Sequence, residues 1–151
     1  MADCLFCRIV AGELPAEVIA RSERAIAFMD INPATRGHAL VIPRAHASDI
    51  EDIGEQDLAA CASLAAQIAR LARRHLGAAG VNLVNSSGAA AWQTVFHFHL
   101  HVIPRYADDP LRLPWTPAPG DPEEISAAGE AYRRAASSVS GAPSESSTGV
   151  E

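Results

Sequence analysis

Residues 94 to 104 read Thr-Val-Phe-His-Phe-His-Leu-His-Val-Ile-Pro. This alternation limits the local fold more than any other stretch of the chain. In extended backbone, successive side chains point to opposite faces. His97, His99 and His101 then share one face, and Phe96, Phe98, Leu100 and Val102 share the other. Such a pattern predicts a half-buried strand with its apolar face on a core. Three of the six histidines of the chain would form a row on the open face. A polar strand face that is merely rich in His is the plain alternative, and the coincidence of alternation with clustering weighs against it. Imidazole titrates near neutrality and serves as nucleophile, proton carrier or metal ligand. Two chemistries are open to the row. The three rings could bind zinc facially and leave a position for water. Alternatively, the middle ring could attack phosphorus while its neighbours orient it and meet phosphate oxygens.

A chain of 151 residues, 48% hydrophobic, suits one domain with a proper core. Its net charge of −6 argues against a nucleic-acid polymer as partner but leaves room for a nucleotide pocket. All 12 basic residues are Arg, which we read as coding bias. No apolar run is long enough to suggest a membrane span, and no basic start precedes a hydrophobic block. Three Cys, two of them close together, fit a reduced compartment. A cytoplasmic protein is the expectation.

Cys4-Leu-Phe-Cys7 is half of a possible zinc site, or a pair of buried thiols on a short N-terminal helix. Strands are expected at about residues 16–21, 25–30, 38–43, 81–85 and 95–104, with turns at Ser22-Glu23-Arg24 and after Asp30. Asp30 could cap its own turn or accept hydrogen bonds from vicinal hydroxyls. From Glu55 to Leu76 the spacing turns helical, with a stripe of Leu58, Cys61, Leu64/Ala65, Ile68, Leu71/Ala72 and Leu76. Acidic residues stand in its first turn, Arg73 and Arg74 in its last, and Gly77 follows. Cys61 belongs to that core stripe, and His75 is expected to be solvated. The segment from Pro110 to Pro122 holds five of the ten prolines and cannot be regular helix or central strand. A short helix over residues 123–136, with Asp121 as N-cap and Pro122 at its first position, is expected next. Residues 137–151 are Ser-, Gly- and Pro-rich and are expected to be disordered.

The run His97-Phe-His-Leu-His-Val-Ile103, with Gln93-Thr94 before it and Pro104-Arg105 after, resembles the signature of the histidine-triad (HIT) nucleotide hydrolases and transferases. The likeness extends over roughly residues 4 to 106. It takes in Phe28-Met29-Asp30-Ile31, Pro33 and Gly37-His38-Ala39-Leu40-Val41-Ile42-Pro43. It implies an α+β fold: a five-stranded antiparallel sheet, one long helix, a short N-terminal helix, and pairing into a homodimer. The domain would span residues 1–106, with residues 107–136 packed on it as a Pro-rich segment and helix, and 137–151 as a tail.

By the same resemblance His99 is the nucleophile, and His101, Gln93 and Thr94 contact phosphate oxygens or the leaving group. His38 orients the triad. Asp30 binds ribose, while Phe6, Ile9, Phe28, Ile31 and Leu40 enclose the base. Asn85 and Gly88 stand in the places of the family's Asn and Gly, and Asn85 is counted among the nucleotide-binding residues. Cys4, Cys7, His46 and His97 would form a closed Cys₂His₂ zinc site that is structural and takes no part in the chemistry. One residue departs from the pattern: Trp92 stands where most members carry Gly. The implied activity is hydrolysis at the α-phosphate of a purine nucleotide, such as a nucleoside 5′-phosphoramidate, through a nucleotidyl-histidine. A dinucleoside polyphosphate hydrolase or phosphorylase, or a zinc-stabilised nucleotide-binding scaffold with little turnover, are the alternatives.

Overall fold

The structure is a computed structural model and describes residues 4–139. A short helix α1 (Leu5–Val10) precedes strands β1 (Val18–Arg21), β2 (Ala25–Met29) and β3 (Ala39–Pro43). Helix α2 (Glu55–His75), strands β4 (Gly80–Val84) and β5 (Leu100–Arg105), and helix α3 (Pro122–Val139) follow. The five strands form one antiparallel sheet in the order β1-β2-β3-β5-β4. The fold is α+β, as expected.

The sheet's period of two separates its work. On β2 and β3, Ala25, Ala27, Ala39 and Val41 face the same core as Cys61, Leu64, Ala65 and Ile68 of α2. Small residues on that face let the helix lie close to the sheet. Ile26, Phe28, Leu40 and Ile42 point the other way and pack with Phe6 of α1. Both central strands are therefore buried on both sides, which accounts for their near-continuous apolar sequence. Leu40 lies opposite His101 in the β3–β5 ladder, and Phe28 lies opposite Leu40. His101 thus shares the face of Phe28 and Leu40, away from α2. Cys61 is fully buried and His75 exposed, both as expected.

The expected fifth strand is cut short. Regular pairing begins at Leu100, and residues 95–97 bend. Upstream of Leu100 the ladder is lost on both sides, since β4 ends at Val84 and β3, though it runs on to Pro43, no longer pairs with this segment. The backbone takes isolated partners instead: Phe98 N–H donates to the Ala47 carbonyl at 2.6 Å, and Asn85 Nδ2 donates to the His99 carbonyl at 2.9 Å. The alternation fails accordingly. Phe98 and Val102 are buried in the core, but Phe96 is 52% exposed. The histidines do not form an open row either, since His97 is 0% and His99 5% exposed.

Gly37 prepares the turn into β3 with φ +86°, a conformation that strains any L side chain, and a Cβ there would also push aside Leu76 Cδ1, 2.5 Å away. By compactness the chain divides after Leu111. Arg105 carries the first unit past the strand end, bonding both carboxylate oxygens of Asp109 at 2.8 Å and the Leu111 carbonyl at 3.1 Å. In the second unit, Asp121 caps α3, accepting from Glu123 N at 2.8 Å. This helix runs to Val139, three residues beyond its expected end, because Ala and Ser continue it with no Pro or Gly before Gly141. The rest of the expected disordered tail lies outside the described residues. Among the described residues, no helix is long and apolar enough to cross a membrane.

Candidate functional site

Two clusters meet at the segment leading into β5. The first is Cys4, Cys7, His46 and His97, whose ligand atoms lie within 4.8 Å of one another. Cys4 caps α1 and accepts from Cys7 N at 3.5 Å, which brings both sulfurs to the helix start. His97 Nδ1 is 3.5 Å from Cys4 Sγ and 3.6 Å from Cys7 Sγ, and His46 Nδ1 is 3.3 Å from Cys7 Sγ. In tetrahedral zinc with the usual bond lengths, the sulfur–nitrogen edge is about 3.6 Å. The donor set therefore fits zinc in chemistry and spacing. The His97 tautomer fits as well. Nε2 is 3.0 Å from the Pro43 carbonyl and must carry the proton, leaving the Nδ1 lone pair for the sulfurs' side. Burial, then the Cys4 side chain, pushes the Cys7 thiol up, and burial pushes His97 down. A bound cation reverses the first effect by holding thiolates. Four protein ligands leave no open position, which is the arrangement of a structural site.

The second cluster is His38, His99 and His101, with Asp30 beside them. His99 Nδ1 lies 2.8 Å from the His97 carbonyl and so carries the proton, which leaves Nε2 as a free lone pair. His38 Nδ1 accepts from Ala34 N–H at 3.0 Å, so its proton sits on Nε2. That proton is donated to His101 Nδ1 at 2.9 Å, which places the His101 proton on its other nitrogen. Three tautomers are thus fixed by backbone groups. Burial lowers the pKa of His38, against the pull of Asp30. Burial, helped by His99 and His38, lowers that of His101 to about 4. Both rings are neutral at pH 7. The three triad rings do not converge on a common point, so the facial zinc alternative is not formed. Asp30, His38 and His101 also come together, but His38 could ligate through Nε2 only by giving up the Ala34 bond. We read that group as a hydrogen-bond relay.

A cavity of about 520 Å³ opens on this face. Phe6, Ile9, Phe28, Ile31 and Leu40 line its apolar part, and Asp30, Thr94, His99 and His101 its polar end. Phe6 stands edge-on to Phe28 and to His99, with ring centroids 5.5 and 5.4 Å away. Asp30 caps its own turn, one of its two expected roles, and lines the cavity. Oδ1 accepts from Asn32 N at 2.8 Å, the turn cap, while Oδ2 faces His38 and the cavity's polar end.

Two expected site residues lie off the cavity wall. Gln93 is buried and fully used, with Oε1 accepting from Gly88 N at 2.7 Å and Nε2 donating to the Ser48 and Val95 carbonyls at 2.7 and 3.1 Å. It holds the loop, and no free donor remains for phosphate. Asn85 spends its amide on the His99 carbonyl and on Ser87 Oγ. It braces the His99 backbone. Trp92 closes the loop in a left-handed conformation, φ 69°, and is 68% exposed. Leu14 and Val95 line the cavity and were not expected to. Val95 could have been found, since it lies two residues before His97 in the same alternation. Leu14 carries no such signal.

Residues 11–108 match the HIT domain family. An adenosine 5′-monophosphoramidase of Schizosaccharomyces pombe is 35% identical over 129 residues, covering 85% of this chain and 94% of that one. The crystal structure of SMU.412c from Streptococcus mutans superposes with a TM-score of 0.84 at 35% identity, covering 89% of this chain and 86% of the other. A zinc-bound histidine-triad family protein from Mycobacterium smegmatis does so with a TM-score of 0.71 at 42% identity, covering 89% and 98%.

Proposed function

This chain belongs to the HIT family, and from that premise we propose that it hydrolyses a nucleotide at its α-phosphate, with a nucleoside 5′-phosphoramidate as the substrate type. One observation carries the reading: His99 has its Nδ1 proton tied to the His97 carbonyl, so that Nε2 is a free nucleophile on the wall of an apolar cavity. His99 Nε2 forms a bond to phosphorus as the bond to the leaving group breaks. The leaving amine departs with the bonding pair and takes up one proton. Water then displaces the histidine, returns one proton, and releases a nucleoside monophosphate. A covalent route divides one difficult displacement into two easier ones. His101 and Thr94 at the polar end are the donors for phosphate oxygens. A purine base fits among Phe6, Ile9, Phe28, Ile31 and Leu40, with the ribose hydroxyls on Asp30. The 35% identity to a phosphoramidase supports the choice of leaving group.

Zinc at Cys4, Cys7, His46 and His97 clips the N-terminal segment to the strand ends and supplies stability, not chemistry. The zinc-bound relative and the tetrahedral spacing of the donors support this. The working protein is a homodimer in this reading. The test is a panel of adenosine phosphoramidates and dinucleoside polyphosphates, with rapid quenching to trap an adduct on His99. Release of amine and nucleoside monophosphate with a labelled His99 is the expected result. Binding without adduct or turnover would make the protein a nucleotide-binding scaffold.

A further inference from the structure

We infer that Asp30 is a positioning residue for the His38–His101 pair as well as a sugar ligand, so that one carboxylate joins the nucleoside end of the site to its phosphate end. The inference rests on the hydrolase reading above and adds a role to it.

The carboxylate is divided between two tasks. Oδ1 is taken by Asn32 N–H at 2.8 Å. Oδ2 points the other way, 3.5 Å from His38 Nε2 and 4.0 Å from His101 Nδ1, on a side chain that is 15% exposed. The Ala34 N–H holds the His38 proton on Nε2, where it is donated to His101 Nδ1 at 2.9 Å with the Asp30 carboxylate alongside at 3.5 Å. A carboxylate beside an N–H group favours the proton staying there. With His38 donating, His101 can keep only an acceptor at Nδ1, and its proton must sit on Nε2. That proton is the one available to a phosphate oxygen.

Asp30 therefore helps set which nitrogen of His101 donates. The other titratable group facing His101 is His99, with ring centroids 5.0 Å apart. An imidazole carries no negative charge and cannot replace the carboxylate. A ribose hydroxyl that donates to Oδ2 draws on the same oxygen, so sugar recognition and the phosphate-side donor belong to one network.

Asp30→Asn is the informative variant, because an Asn oxygen caps the Asn32 turn as the carboxylate does and only the charge is lost. Rates are compared on adenosine 5′-phosphoramidate and on its 2′,3′-dideoxy analogue, which offers Asp30 no hydroxyl. If Asp30 positions the pair, kcat of Asp30→Asn on the dideoxy compound falls roughly ten- to a hundredfold below wild type, and Asp30→Glu recovers part of it. Equal kcat for wild type and Asp30→Asn on that compound overturns the inference and leaves Asp30 as a sugar ligand alone. Wild type that turns over neither compound contradicts the hydrolase reading instead. The Asp30 role is then decided by nitrogen-15 shifts of the imidazoles in free protein. Mixed tautomers of His38 and His101 in Asp30→Asn support the inference, and unchanged ring shifts overturn it.

Discussion

The carbonyl oxygen of His97 lies 2.8 Å from Nδ1 of His99. The residue whose ring faces two cysteine sulfurs therefore fixes, through its main chain, the tautomer of the residue two places on. One segment carries both clusters and keeps them apart: side chain to the sulfurs, backbone to His99.

His99→Ala is expected to lower kcat by on the order of 10⁴ to 10⁶, with the fold retained. Among the described residues the ring's only hydrogen-bonded partner is a carbonyl two residues away, so its loss breaks no long-range contact of the backbone. Steady-state rates beside a thermal melt check this. Near-normal kcat would assign the nucleophile elsewhere.

Removing zinc is expected to cost stability more than turnover per folded molecule. His97 Nε2 is held by the Pro43 carbonyl independently of any metal, so the backbone that orients His99 survives. Cys7→Ser should behave as chelation does, with less than one zinc per chain and a lower melting temperature. Elemental analysis measured beside activity is the check. Full zinc in Cys7→Ser, or turnover that stops outright on chelation, would move the metal into the chemistry.

Acidification is expected to destabilise the fold through its buried imidazoles. Burial holds the folded pKa of His101 down at about 4 and depresses that of His38 in the same direction, against about 6.5 in an unfolded chain. The unfolded state then binds more protons between those values, so stability is full above about pH 6.5 and falls as pH drops toward 4. His101 alone accounts for on the order of 3 kcal/mol across that window. Urea midpoints at several pH values measure it, and His101→Gln should flatten the slope. A midpoint constant between pH 7 and 5 would refute the assignment of neutral rings.

Trp92→Gly is expected to stabilise the protein by about 1 kcal/mol. A bulky residue at φ 69° costs roughly 1–2 kcal/mol relative to glycine, and a side chain 68% exposed loses little burial when removed. Chemical denaturation gives the sign. A loss of stability would mean that the indole makes contacts worth more than the strain.

The sheet was legible in the sequence because burial on both faces leaves β2 and β3 almost wholly apolar, and helix α2 because its stripe repeats at the helical period. Asp30, Phe6 and Ile9 were placed at the cavity by resemblance to a known signature, and the cavity includes them. The bend at residues 95–97 was not legible. It depends on carbonyls of Pro43 and Ala47, about fifty residues upstream, which present no side-chain pattern. For the same reason Gln93 was read as a phosphate contact: a free amide and one saturated by three backbone groups look alike in sequence. Tautomers, on which the chemistry turns, are fixed by such backbone groups and can only be assigned in three dimensions.

Helix α1 has six residues, far fewer than an isolated helix needs to persist in water. Yet its Phe6 forms one side of the cavity against Phe28 and His99. The wall is thus a separable cooperative unit whose opening costs less than global unfolding. In hydrogen exchange it should report a protection free energy of its own, governed by Cys4 and Cys7 more than by the sheet. Substrate affinity then scales with the fraction of molecules in which that wall is closed. If zinc is held there, metal supply would be felt at the cavity as a change in apparent affinity, transmitted through the fold alone.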